Sequence, residues 1–257
     1  MQMTVNILHT PGGVRFGLLG DKGAAPAPTL FTFAQKIETT LESPSFASVG
    51  HELAKHGFLL VSLDLPCHGN DIREGEEPGL TGWRVRLEHG DELVPPFLGQ
   101  VSEVLDFLIR EGYTDAEKVV ACGTSRGGFI ALHFAAAEPR VRCVVAFAPV
   151  TDLLALREFD GMGTHPLTRA LSVVRHADSL AQKDVWLCIG FDDLRVSTDS
   201  CVALARRIAE AAIVRGLEPK VELHLTSPVG HSVPPSAHGA AATWLLAHVK
   251  VQPQAAR

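Results

Sequence analysis

Residues 119–137 read VVACGTSRGGFIALHFAAA, and the reading of this stretch decides the fold. An apolar strand-like start runs into Gly123-Thr124-Ser125-Arg126-Gly127-Gly128, and a helix-forming apolar run follows. Glycines stand two positions before and two after Ser125. An ordinary loop does not need that bracketing, whereas a nucleophile held at a strained φ/ψ on a strand-to-helix turn does, because neighbouring Cβ atoms would clash there. The five residues fit G-x-S-x-G, a nucleophile elbow, in the strand-then-helix context that the motif requires. A plain serine N-cap is the competing reading, but an N-cap has no use for glycine on both flanks. Ser125 is the candidate nucleophile, and it would stand at a helix N-terminus that favours developing negative charge.

Outward from the elbow, the chain alternates strands and helices. Strands are expected at about 4–8, 14–18, 29–33, 58–63, 118–122, 142–147, 185–190 and 221–226. FLLVSLD, RCVVAFA and VWLCIG are continuous apolar runs, as strands buried on both faces require. The first two strands can pair as a hairpin through HTPGG. Helical periodicity falls at about 45–56, 97–112, 125–137, 167–174, 198–215 and 236–249. The alternation predicts a mostly parallel, eight-stranded, doubly wound α/β sheet with helices on both faces. No repeat, linker or composition shift marks a boundary, so residues 1–257 are expected to form a single domain. Two longer connections, Pro66–Pro96 and Pro149–Lys183, leave the carboxyl ends of strands, where ligand crevices form in open α/β sheets. The Pro149–Lys183 connection is too short for a large independent cap.

Composition narrows the function. A hydrophobic fraction of 46% supports a sizeable core, and the net charge of −6 without a Lys/Arg cluster speaks against a nucleic-acid or membrane partner. The opening MQMTVNILHT lacks a basic and then apolar leader, and no window approaches ~20 uninterrupted apolar residues, so a cytoplasmic location is expected. The five cysteines, Cys67, Cys122, Cys143, Cys188 and Cys201, show no CxxC spacing and read as buried free thiols rather than disulfides or metal ligands.

A serine nucleophile needs a base and an orienting acid, arranged in this fold in the order Ser, Asp, His. WLCIGFDDLRVST offers Asp192 and Asp193 at the end of a buried strand, although turn and capping chemistry would also explain acids there. HLTSPVGHSVPP places His231 in a loop after the last strand. The other histidines fit less well: His224 falls in a strand, His133 and His248 in helices, and His238 near a helix start.

Taken together, these segments resemble the α/β-hydrolase superfamily, and within it the bacterial short-chain esterases related to prolyl oligopeptidases and dienelactone hydrolases. LDLPCHGND resembles the D-x-P-x-H-G loop after the fourth strand, IGFDDLRV the G-x-x-D-x-x-V acid motif, and VGHSVPP the segment carrying the catalytic histidine. Aligning Gly190 and Val196 on the acid motif selects Asp193 over Asp192, with Asp152 in APVTDLL the reserve acid. The resemblance thus implies a Ser125, Asp193, His231 triad, with His68 a structural residue. The Arg126 N–H follows the nucleophile and is the expected first oxyanion donor. The family's His-Gly is replaced by Phe33-Ala34, so the second donor is expected to be the Gln35 N–H, with Ala34 next. Serine at the elbow implies an acyl-enzyme, not the cysteine or aspartate chemistry of related families.

The resulting expectation is a serine carboxylesterase that cleaves a small-molecule, short-chain ester without metal or organic cofactor. Trp83, Leu93, Phe97, Phe159 and Met162 are the expected pocket lining, unless they are ordinary core. A peptidase or a thioesterase/acyltransferase would share the triad. A peptidase of the prolyl-oligopeptidase type would also carry a propeller, for which 257 residues leave no room. A non-catalytic binding protein on the same fold would have no need of all three groups.

Overall fold

The structure is a computed structural model that describes residues 4–249. Eight strands form one sheet: β1 (Val5–His9), β2 (Arg15–Leu19), β3 (Ala27–Phe33), β4 (Leu59–Ser62), β5 (Thr114–Thr124), β6 (Val141–Phe147), β7 (Asp184–Asp192) and β8 (Val221–Val229). Their spatial order is β1-β2-β4-β3-β5-β6-β7-β8. β2 runs antiparallel to both its neighbours, and every other pairing is parallel. The expected first hairpin is present, with Val5 opposite Leu19 and Gly13 turning at φ +89°.

The helices are α1 (Ile37–Glu42), α2 (Pro44–Ala54), α3 (Gly79–Glu88), α4 (Val94–Arg110), α5 (Arg126–Ala137), α6 (Pro166–Ala170), α7 (Ala177–Leu180), α8 (Thr198–Val214) and α9 (Pro235–Val249). Successive strand residues point to opposite faces, and the core divides accordingly. Val119 and Ala121 of β5 join the cluster under α4, α5 and α8, while Val120 and Cys122 join the cluster under α1, α2 and α9. In β7, Val185, Leu187 and Ile189 alternate in the same way with Trp186 and Cys188. The apolar runs are therefore continuous because both faces are covered. The architecture is the expected α/β-hydrolase sheet, and the Pro149–Lys183 connection holds only short helical turns, with no large cap.

Three departures from the expected elements have local causes. β5 begins at Thr114 because the polar run before Lys118 still pairs with β3, where the Thr29 and Thr114 hydroxyls meet at 2.8 Å across a bulge. Helix α1 is too short to show periodicity, and α3 disguises itself by burying a charged residue, Arg86, on its inner side. All five cysteines are free and buried, and burial pushes the Cys122 thiol up to about 12, which keeps it protonated three residues from Ser125. Among the described residues, no helix is long and apolar enough to cross a membrane.

Candidate active site

Ser125 stands between β5 and α5 at φ +57° and ψ −119°. For a residue with a Cβ that conformation costs about 1–3 kcal/mol, and the surroundings hold it in place. Its N–H donates to the Phe147 carbonyl at 2.8 Å, and its carbonyl accepts from Phe129 and Val150, each at 3.1 Å. The glycines are steric requirements. A Cβ on Gly123 would overlap the Gly127 carbonyl, and one on Gly127 would overlap the Phe33 carbonyl oxygen and lie 2.7 Å from the Ala34 amide nitrogen. Although Ser125 precedes the helix, its side chain makes no capping hydrogen bond. The hydroxyl is directed elsewhere.

It meets His231. The Ser125 Oγ lies 2.9 Å from His231 Nε2, and His231 Nδ1 lies 2.8 Å from Asp193 Oδ2. A carboxylate can only accept, so Nδ1 carries the proton and Nε2 is left to accept from the serine hydroxyl. Asp193 is 1% exposed, and its other oxygen accepts from the Arg195 N–H at 3.0 Å and the Val196 N–H at 3.2 Å. Thr198 braces the same turn: its hydroxyl accepts from the Asp193 N–H at 3.1 Å and donates to the Gly190 carbonyl at 2.7 Å. The His231 ring is 29% exposed, so one end of this chain of groups is buried and the other opens to solvent. The three residues come from the carboxyl ends of β5, β7 and β8, the side on which ligands bind in such sheets.

The competing acids are placed elsewhere. Asp192 is exposed at the end of β7, paired through its backbone with Val229. Asp152 spends one oxygen on the Leu154 N–H and the other on the Ser172 hydroxyl, both at 2.9 Å, and so acts as a turn residue.

Two site expectations need correction. The Gln35 N–H, the expected second oxyanion donor, is engaged by the Thr40 hydroxyl at 3.0 Å, and the Gln35 carbonyl accepts from Leu65 at 3.1 Å. Thr40 is fully buried and shows no sequence signal that would reveal this. The Ala34 amide instead packs against Gly127, one residue from the Arg126 N–H. The second correction concerns the pocket. Trp83, Leu93, Phe97, Phe159 and Met162 are all core residues. Trp83 packs at a tilt against Phe129 and donates its indole N–H to the Pro66 carbonyl at 2.6 Å, while Phe97 packs edge-on against Phe33. Leu93 and Phe97 reach a cleft of about 310 Å³ beside Pro66, Asp71 and Arg86, but none of Ser125, Asp193 and His231 lines it.

Around the serine, the structure adds polar side-chain contacts that the sequence had not specified. Arg126 donates from Nη1 to His68 Nε2 at 3.0 Å, and His68 Nδ1 donates to the Pro66 carbonyl at 2.8 Å. Burial lowers the affinity of His68 for a second proton, so the ring is neutral. Arg195, two residues past Asp193, pairs with Glu158 at 2.7 Å. Arg195 sits inside the quoted acid motif, so its place near the site was legible; its partner was not.

The arrangement can transfer a proton from a serine hydroxyl to an imidazole held by a buried carboxylate, which is the geometry of nucleophilic acyl transfer. Comparison with known proteins agrees at the level of fold and family. The Thermus thermophilus protein TT1662 superimposes with a TM-score of 0.73 at 19% identity, covering 98% of this chain and 100% of that one. A cold-adapted esterase from an Arctic intertidal metagenomic library gives 0.67 at 18% identity over 96% of this chain and 94% of its own. The acylaminoacyl peptidase of Pyrococcus horikoshii gives 0.72 at 13% identity, and this chain, covered over 100% of its length, spans 44% of that protein. At these identities the likeness is one of fold. A search of curated proteins gives no match. The Prolyl oligopeptidase family profile matches residues 97–249, a span that contains Ser125, Asp193 and His231. The chain therefore belongs to the prolyl oligopeptidase family, as a serine hydrolase on the α/β-hydrolase fold.

Proposed function

We propose that the protein is a carboxylesterase that cleaves short-chain esters of small molecules through an acyl-enzyme on Ser125. The observation that carries this reading is the continuous contact from buried Asp193 through His231 to Ser125, at 2.8 and 2.9 Å. In the first half-reaction Ser125 Oγ bonds to the ester carbonyl carbon as its proton passes to His231 Nε2, and Asp193 stabilises the imidazolium. The carbonyl oxygen, now negative, accepts from the backbone N–H groups of Arg126 and Ala34. Collapse of the tetrahedral intermediate breaks the bond to the alcohol, which leaves with the proton from His231. Water repeats the sequence on the acyl-serine and releases the acid.

Ester rather than peptide chemistry is favoured by the leaving group. An alkoxide or phenoxide departs with modest help, while an amine must be protonated by His231 and held in a defined subsite. Short acyl chains are favoured because the large apolar side chains Trp83, Phe159 and Met162 of the long connections are packed into the core and are not free to line a tunnel.

The test is a series of acetyl, butyryl, octanoyl and palmitoyl nitrophenyl esters, with a thioester and a peptide amide alongside, assayed on wild type and Ser125→Ala. We expect kcat/KM to peak at acetyl or butyryl and to vanish in the variant. A maximum at octanoyl or beyond, or a peptide amide outrunning every ester, would reject the assignment.

A further inference from the structure

Among the described residues, every arginine but one either pairs with a carboxylate or stands exposed to solvent. Among the described residues, only Arg126, Arg169, Arg175 and Arg206 have no carboxylate within ion-pair distance. Arg169, Arg175 and Arg206 are exposed, so water solvates them. Arg126 is partly buried, and it adjoins the nucleophile. Among the described residues, the one hydrogen-bond partner of its side chain is the neutral imidazole of His68, which supplies no compensating charge.

The neighbouring charges do not make up the difference. Arg195 and Glu158 are close enough to act on Arg126 electrostatically, but they form a pair with each other, so the group keeps one positive charge. His68, Glu158 and Arg195 belong to the connections that follow β4, β6 and β7, so the guanidinium lies among loops at the carboxyl edge of the sheet. An unpaired guanidinium withdrawn from water is unfavourable unless something anionic meets it.

The geometry of the free atoms identifies that partner. His68 takes Nη1, and Nε and Nη2 have no acceptor among the described residues. These two nitrogens form the edge of the guanidinium that a carboxylate grips with two parallel hydrogen bonds. Trp83 and His68 both donate to the Pro66 carbonyl, at 2.6 and 2.8 Å, which fixes the imidazole and, through it, the guanidinium. We infer that Arg126 determines substrate specificity by binding a carboxylate carried by the substrate, so that the preferred ester is a monoanion, such as a half-ester of a dicarboxylic acid. His68 is the positioning residue that orients it. The inference rests on the esterase reading above and refines its substrate class. The carboxylate can sit on the acyl part or on the alcohol part, and the same chemistry would recognise either.

Two measurements test it separately from that reading. The first compares kcat/KM for the nitrophenyl half-ester of glutaric acid with that for its methyl-capped diester, and for carboxyphenyl acetate with that for phenyl acetate. These arms place the charge on the acyl and leaving sides in turn. In at least one arm the wild type should favour the anion, and Arg126→Gln should cut that preference between about tenfold and a hundredfold, the worth of a charge-assisted pair. Arg126→Lys, which keeps the charge and loses the fork, should recover only part of it. Equal treatment of anion and neutral partner by the wild type, or an unchanged ratio in Arg126→Gln, would overturn the inference even while esters are hydrolysed. The second measurement needs no turnover: calorimetry of monomethyl glutarate binding to Ser125→Ala and to Ser125→Ala/Arg126→Gln. Tighter binding to the first supports the inference, and equal or absent binding in both overturns it. Failure of every ester in the first assay would count against the esterase reading alone.

Discussion

Asp192 and Asp193 are neighbours in the chain, yet only one of them meets the histidine. The chain turns immediately after β7, so Asp192 remains at the exposed strand end while Asp193 swings beneath His231 and gives its second oxygen to the Arg195 and Val196 amides. Asp193→Asn puts an amide where the carboxylate stood, so it no longer dictates which imidazole nitrogen holds the proton and no longer stabilises the imidazolium. Turnover should fall by about 10⁴-fold, the scale of such a change in a serine triad. Asp192→Asn should stay within a few-fold of wild type, because no side-chain hydrogen bond joins Asp192 to the site. Steady-state rates on a short ester, with circular dichroism and urea unfolding as the check that each variant is folded, give the comparison. Crippling of Asp192→Asn with a near-normal Asp193→Asn would reverse the assignment. At this scale, much of the site could be read from the sequence because the elbow, acid and histidine segments each carry a local signature. The second oxyanion donor could not, since the hydroxyl that engages Gln35 comes from Thr40 and the contact is set by how α1 packs.

The elements show a different limit. Strands buried on both faces announce themselves as apolar runs, and all eight lie where the sequence places them. Helix α3 does not, because what holds it is polar and long-range. Arg86 projects from α3 into the preceding loop, pairs with Glu76 at 2.6 Å and Asp71 at 2.7 Å, and donates to the Asp71 carbonyl at 2.6 Å. Arg86 and Glu76 are each 8% exposed, and the Arg86 guanidinium holds the Glu76 carboxyl down at about 2. The same reason defeats any reading of the pocket from apolar residues: Trp83 looks like a pocket wall until its partners, Phe129 and the Pro66 carbonyl, are known. Removing one member of a buried pair strands the other, at a cost of about 3–5 kcal/mol. Arg86→Met should therefore destabilise the protein by about 3 kcal/mol in urea unfolding, leaving Glu76 without its partner. It should also loosen the loop that carries His68. Arg86→Met/Glu76→Leu should recover much of the loss, since no buried charge remains unpaired; a double variant as unstable as the single one would show that the pair itself, and not its stranded half, sets the cost.

At the scale of the whole molecule, acid stability depends on how α5 docks against the Pro149–Lys183 connection. His133, on α5, is 3% exposed, donates from Nε2 to the Leu171 carbonyl at 3.0 Å, and packs edge-on against Phe129 and His176. Burial is the main cause, and His176 the second, of a pKa pushed down to about 3. In the unfolded chain the ring titrates near 6.5. Between those values the unfolded state binds a proton that the folded state refuses, so stability is present above about 6.5 and is lost as pH falls toward 3. The slope from this one group is at most about 1.4 kcal/mol per pH unit, or roughly 2 kcal/mol between pH 6.5 and 5. Burial also lowers His68, His176 and His238, and each adds to the loss in the same direction. Carboxylates enter later: Glu76, held down at about 2, weakens the fold only as pH drops through the ordinary carboxylate range. The interval from pH 7 to 5 therefore isolates the histidines. His133→Gln keeps an amide N–H that can reach the Leu171 carbonyl and removes the titrating ring. Urea unfolding at pH 7, 6 and 5 should show the variant losing less stability than wild type over that interval, by about 1–2 kcal/mol. The lower slope should appear whatever the variant's stability at pH 7, because packing changes shift the whole curve while only a titrating group tilts it. Parallel curves for the two proteins would mean that His133 accepts its proton without unfolding α5 from the connection it covers.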